Sequence, residues 1–197
     1  MRIDTESLLS LHRYAEQGRI IVFDTETTGM TNDDEICQIA AVEYERGTEC
    51  RSMAEYLTPA CPMNPFAELT HGLSLDFLRQ NGIPPVIGLD RFFSFLGGDA
   101  LLVAHNLRFD MRMLNNDCVQ YGMQPAVADI ETCDTLALAR FVRPDLGSYT
   151  LANLVEALGI DGTNSHDALD DAHACAGVFF RLIESAKEGV VGAGSGH

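Results

Sequence analysis

Apolar residues recur along this chain at two different periods, and the switches between them divide it into elements. Leu8, Leu11 and Ala15 in TESLLSLHRYAEQ (5–17) repeat at helical spacing, and Gly18 is placed to stop that helix. RIIVFD (19–24), EICQIAAVEYE (35–45) and CRSMAEYL (50–57) are compact β-branched or apolar runs separated by polar or glycine-containing breaks, which predicts three consecutive strands in a meander. From 64 to 96, Asn64-Pro65, Gly72, Gly82 and Pro84-Pro85 cut the chain into short helical pieces that end with FFSFL before Gly97-Gly98. Then the elements alternate: a strand at ALLVAH (100–105), a helix at 108–122, a strand at ADIETC (128–133), and helices at 134–142, 150–159 and 167–188. A strand meander followed by alternation predicts an α/β domain with one mixed sheet, helices on its faces and an extra N-terminal helix. The glycine-rich GVVGAGSGH from 189 to 197 reads as a flexible tail. The expected division is therefore a helical extension over 1–18, a domain over 19–188 and that tail.

Composition adjusts this picture. With 197 residues and 46% hydrophobic content the chain can bury one full core, so a single domain is expected. Its formal charge of −16 is opposite in sign to the basic footprint of most nucleic-acid binders. Two divalent cations would leave about −12, neutralising a site without reversing the whole. The cations are arginines except for Lys187. Six cysteines lie far apart with no CxxC or Cys/His pair at metal spacing, which predicts reduced thiols rather than a zinc site. The acidic start MRIDTESLL is unlike a secretory signal, and no apolar run reaches the length of a membrane span, so a soluble cytoplasmic protein is expected.

The carboxylates carry the chemistry. Strand alternation puts Asp24 and Glu26 on the face of Ile20 and Val22, at the strand's C-terminal end, where α/β sheets bind ligands. Two adjacent acids repel unless a proton or cation separates them, although a solvated strand end gives the same DxE pattern. In the helix after ALLVAH, Asn106 is placed to cap, and Asp110 shares the arc of Leu107, Leu114 and Cys118. A carboxylate on an apolar stripe must be protonated, hydrogen-bonded or metal-bound. Asp117 lies at the edge of the same arc and reads as a rim acid. In the last helix, Ala168, Leu169, Ala172, Cys175, Ala176, Phe179 and Ile183 define the inward face; Asp171 falls about 100° from its centre and Asp170 near 160°, which selects Asp171. His166 precedes the first turn, whereas His12 and His173 read as surface or core histidines.

FDTETTG (23–29), HNLRFD (105–110) and HDALDD (166–171), in this order and at these separations, resemble the DnaQ-like exonucleases of the DEDD superfamily, which have a ribonuclease H-like fold. The last motif fits the H-x4-D of the histidine branch; no tyrosine stands in the 160s. DTLALAR (134–140), LANLVEALGI (151–160) and HGLS (71–74) also look like family positions, and the resemblance covers residues 19 to 184. It implies a mixed five-stranded sheet flanked by helices. It makes Asp24, Glu26, Asp110 and Asp171 ligands of two Mg2+ or Mn2+ ions, with Asp24 as the bridge and His166 as general base, in a 3'-to-5' exonuclease that releases nucleoside 5'-monophosphates. By the same likeness Thr27, Met30, His71, Asn106 and Phe109 line the pocket of the 3'-terminal nucleotide. Gripping one terminal nucleotide requires few phosphate contacts, which reconciles the acidic charge with a nucleic-acid substrate and implies weak binding to long duplexes.

The expected partner is a single-stranded or frayed 3' end, DNA ahead of RNA, in repair or proofreading. An oligoribonuclease-like RNA 3' exonuclease is the alternative, the motifs are compatible with a polymerase or repair partner, and a stand-alone enzyme is expected ahead of a subunit. A non-catalytic binding module of the same fold is the reading from another class; retention of all five residues argues against it.

Overall fold

The computed structural model describes residues 3–124, 130–161 and 165–193, with side chains described as far as residue 187. Strands β1 (Arg19–Thr27), β2 (Ile36–Glu45) and β3 (Thr48–Tyr56) form the expected antiparallel meander. Arg46 and Gly47, at φ 51° and 74°, make the two-residue turn between β2 and β3, the left-handed pair that matches the twist of a hairpin. β4 (Leu101–Ala104) and β5 (Glu131–Asp134) add in parallel, giving one five-stranded sheet of order β3-β2-β1-β4-β5. The strand predicted over 128–133 is thus realised from Glu131; residues 128 and 129 lie outside the described residues.

Alternation along β1 divides the core. Ile20 and Val22 pack with α1 (Thr5–Gln17), α6 (Thr135–Val142), α7 (Leu151–Ala157) and α8 (Ala168–Ala193) on one face. Ile21 and Phe23 pack with α4 (Pro85–Leu96) and α5 (Leu107–Gln120) on the other. Phe23, Phe92 and Phe179 are fully buried, each contributing up to about 3 kcal/mol of burial energy. α8 buries the predicted stripe from Ala168 to Ile183, with Leu169 half-buried. Small Ala168, Ala172 and Ala176 allow its first turns to lie close over β1 and β2. The backbone of α8 continues to Ala193, so the tail expected from 189 begins as helix, and residues 194–197 lie outside the described residues.

Short helices α2 (Pro65–His71) and α3 (Leu75–Asn81) flank the start of β2. Asn64 caps α2 through Phe66 N, and Gly72 at φ 75° closes it, which fixes His71 at its end. Among the described residues no helix is long and apolar enough to cross a membrane, and the six cysteines are unpaired. Asp117 departs from expectation. It is buried at 1% exposure because α5 turns it inward against the start of β2, where Oδ2 accepts a hydrogen bond from Ile36 N at 3.1 Å.

Candidate active site

β4 pairs with β1 only over Ile20–Val22 and ends at Ala104, so the C-terminal part of β1 runs past its neighbour. Asp24 and Glu26 stand on that overhang. After β4 the chain turns through His105 and Asn106 into α5, whose first turn places Asp110 beside β1. Thr25, on the opposite side of the strand from Asp24, donates its hydroxyl to Asp110 Oδ1 at 2.7 Å and fixes the carboxylate. From the other face, the start of α8 supplies Asp171, buried at 4% exposure, while Asp170 is exposed. Donor atoms of Glu26, His166 and Asp171 lie within 4.8 Å of one another; Asp24 and Asp110 stand outside that tightest set and adjoin it.

Two residues that sequence reasoning did not single out hold this end of α8 in place. Asp167 caps the helix, Oδ1 accepting from Leu169 N at 3.0 Å. Gln38, buried on β2 and paired in register with Glu26, donates to Asp167 Oδ2 at 2.8 Å and accepts from Ala168 N at 3.2 Å. An aspartate just ahead of an apolar helical stripe was the available signal for Asp167; nothing local marks Gln38. Ser165 N donates to Asp171 Oδ1 at 3.0 Å, tying the His166 loop to the carboxylate. His166 itself is exposed at φ 57°, in the left-handed region. Non-glycine residues adopt that conformation at a cost of about 1–3 kcal/mol when surrounding structure enforces it, a pattern concentrated at functional sites.

Burial, then the fields of Asp110, Glu26 and Asp171, hold the Asp24 carboxyl well above the usual range. Burial and Asp171 push Glu26 up to about 8, and burial pushes Asp171 to about 6 against the opposing Ser165 hydrogen bond. Asp110 is raised by burial in spite of its bond from Thr25. No lysine or arginine salt bridge reaches Asp24, Glu26 or Asp110 among the described residues. Such a set is complementary to hard divalent cations, which take carboxylate oxygens and reverse the repulsion.

A cavity of about 540 Å3 opens on the Glu26 side, and Thr25, Glu26, Thr27, Met30, His71 and Phe109 line it. Four of the five residues expected in the nucleotide pocket are therefore brought together. His71 is fixed there: Nδ1 accepts from Leu73 N at 3.0 Å, so Nε2 carries the proton toward Thr27 O at 3.2 Å. Met30 is 77% exposed at the mouth, and Arg112 pins its loop by donating to Met30 O at 3.0 Å while stacking on Phe109. Asn106 lies elsewhere. It occupies the N-cap position at φ 62° without a side-chain capping bond, and it lines a second cavity, of about 490 Å3, on the His166 side. The expected cap is absent because a left-handed Asn106 turns its carboxamide away from the first-turn amides.

A β3-β2-β1-β4-β5 sheet with an acidic centre at the carboxyl ends of its parallel strands is a ribonuclease H-like fold. The chain belongs to the RNase T exonuclease family, whose model matches residues 21–179. It is 34% identical over 181 residues to the PolC-type DNA polymerase III of Bacillus subtilis (strain 168), covering 90% of this chain and 12% of that protein. To the 3'-5' exonuclease DinG of the same organism it is 32% identical over 172 residues, 86% of this chain and 18% of the relative. The chain thus spans less than a fifth of these curated relatives. Among solved structures, the zinc-bound E. coli exonuclease I–single-stranded DNA complex superposes with a TM-score of 0.76 at 23% identity, over 90% of this chain and 42% of that one. An exonuclease I from Methylocaldum szegediense gives 0.75 at 21% identity, over 86% and 41%. These likenesses bear out the expected fold.

Proposed function

We propose that this chain is a 3'-to-5' exonuclease that uses two Mg2+ or Mn2+ ions to release nucleoside 5'-monophosphates from single-stranded or frayed DNA ends. The observation that carries the reading is the convergence of four carboxylates, Asp24, Glu26, Asp110 and Asp171, beside His166, oxygen donors of the hardness those ions take. Bound ions supply charge stabilisation to the attacking and leaving oxygens of the phosphodiester. The chain's own groups do the rest. Asp24, Glu26, Asp110 and Asp171 would hold the ions, and Asp24, whose carboxyl feels the fields of the other three, is the residue we assign to both. His166 faces the opening, where it takes a proton from the attacking water. Thr27, Met30, His71 and Phe109 hold the terminal nucleotide, with apolar walls for the base and a fixed His71 for the polar edge. The catalytic unit is residues 19–188, with residues 1–18 an added helical segment whose Leu8 and Leu11 share the α8 core.

DNA is favoured over RNA because the relatives named above include a DNA polymerase and a nuclease solved with single-stranded DNA. A polymerase or repair partner is consistent with the same relatives, and a cytoplasmic setting with the unpaired cysteines. Incubation of the protein with 3'-labelled DNA and RNA strands, with Mn2+, Mg2+ or chelator, tests this. Metal-dependent release of labelled 5'-mononucleotide, faster from DNA, is expected. Intact 3' labels in the presence of both metals would overturn the enzymatic reading, and faster RNA trimming would reassign the substrate.

A further inference from the structure

We propose that the second cavity, on the His166 side, binds the nucleotide immediately upstream of the scissile bond, with Arg140 as the phosphate contact. This rests on the exonuclease reading. α6 explains the placement of the arginine: Thr135, Leu138 and Ala139 are buried, so Leu136 and Arg140, one turn apart, turn outward and line the cavity. Tyr149 supplies the opposite support. Its hydroxyl donates to Arg143 O at 2.8 Å, and its ring centroid lies 5.6 Å from the Arg140 guanidinium carbon, which restrains both groups.

Position and charge together select this arginine: of the arginines without an ion pair among the described residues, Arg13, Arg46, Arg108 and Arg112 line neither cavity beside the carboxylate centre, and Arg140 does. Arg19, Arg51, Arg79, Arg91, Arg143 and Arg181 all pair with carboxylates, as an excess of acid makes easy. Arg140 is exposed and makes no ion pair or hydrogen bond among the described residues, although Asp134 stands at the start of its own helix. Asp134 is engaged instead by Asn106 N at 3.0 Å and Leu136 N at 2.9 Å. A guanidinium kept unpaired in a concave surface of a strongly acidic chain suits an anionic group brought by a ligand. Asn106 adds a carboxamide held out by its left-handed backbone.

Location supplies the chemistry. Glu26 lines the first cavity and His166 the second, and their donor atoms lie within 4.8 Å of each other across the carboxylate centre. A strand with its terminal nucleotide in the first cavity and its scissile phosphate at the centre continues into the second.

The test compares two substrates that differ only in what lies upstream: the p-nitrophenyl ester of thymidine 5'-monophosphate and a single-stranded thymidine decamer. Arg140→Ala is expected to lower the ratio of kcat/KM for decamer over ester by about tenfold, the range of one charge-assisted contact. It should also reduce the salt slope of decamer affinity by about 0.7, one phosphate's share for a single strand. Arg140→Lys should recover part of both. An unchanged ratio, or a decamer salt slope equal to that of the wild type, would overturn the proposal. A wild-type protein that hydrolyses neither substrate would overturn the exonuclease reading and this inference together, whereas cleavage of both with an unchanged ratio sinks this inference alone. Melting curves of the variants exclude loss through unfolding.

Discussion

Two buried groups of carboxylate lie at opposite ends of the same β1–β2 ribbon and have opposite surroundings. Near the start of β1, Glu43 accepts from Arg19 at 2.9 Å and Arg51 at 2.8 Å, and those arginines also bond Phe95 O and Leu96 O at the end of α4. The Arg19 bond, with help from Arg51, holds the Glu43 carboxyl below its ordinary range. At the far end of β1, Asp24, Glu26, Asp110 and Asp171 crowd one another, with hydrogen bonds from Thr25 to Asp110 and from Ser165 to Asp171, and all are raised. A structural acid is folded together with its cation. A crowded acid cluster stores repulsion that an added cation relieves, so the two ends respond oppositely to substitution.

The largest break in that comparison comes from Asp24→Asn. Activity with Mn2+ is expected to fall by about 10^3-fold or more, roughly 4 kcal/mol of transition-state stabilisation. The metal-free protein should melt no lower than wild type at pH 8, because the carboxamide cannot ionise among the neighbouring acids. A clear loss of melting temperature in chelator would mean that Asp24 supports the fold. Glu43→Gln is the converse. It leaves Arg19 only half-matched against the α4 carbonyls and should cost about 3 kcal/mol, most of it from the buried Arg19 contact because Arg51 is half exposed. For a domain of this size that is a drop of about 6–12 °C, with kcat preserved below the transition. Calorimetry and a rate assay on both variants would show whether the effects cross as expected.

The sequence was legible where one periodicity dominated. All five strands, the face of Asp24 and Glu26, the inward turns of Asp110 and Asp171 and the outward turn of Asp170 follow from alternation and the helical wheel. What escaped was set by contacts distant in sequence. Gln38 reaches Asp167 across 129 positions, and Thr25 reaches Asp110 across 85. Asn106 has the residue type of a cap but the backbone of a turn, and Asp117 sits on an arc edge that becomes interior only once β2 packs against it.

Titration sharpens the contrast further. Carboxyls raised in the folded state favour protonation there, so without metal the centre destabilises the protein progressively as pH rises from the ordinary range near 4 through about 6 for Asp171 and about 8 for Glu26. Glu43, being depressed, contributes stability that is present above its ordinary range and lost as pH falls through its folded value. Metal-free melting temperature should therefore decline between pH 5.5 and 8, and Mn2+ should raise it more at pH 8 than at 5.5. Equal metal-induced shifts at the two pH values would indicate that the centre is not charge-burdened.

Asp117 offers the smallest and most discriminating test, because it belongs to neither group. One oxygen accepts from Ile36 N at 3.1 Å, while Oδ1 is buried with no hydrogen-bond partner among the described residues. Burial pushes its carboxyl up to about 7 despite the Ile36 bond, and Glu35 adds to the rise. Asp117→Asn keeps the acceptor for Ile36 and removes the charge. By the same sign, the wild-type carboxyl costs stability increasingly from near pH 4 up to about 7, so the variant should gain more at pH 8 than at pH 5. Denaturant melts at both pH values measure the difference. A loss at pH 8 would mean that the charged form is compensated and that Asp117 belongs with Glu43 rather than between the two groups.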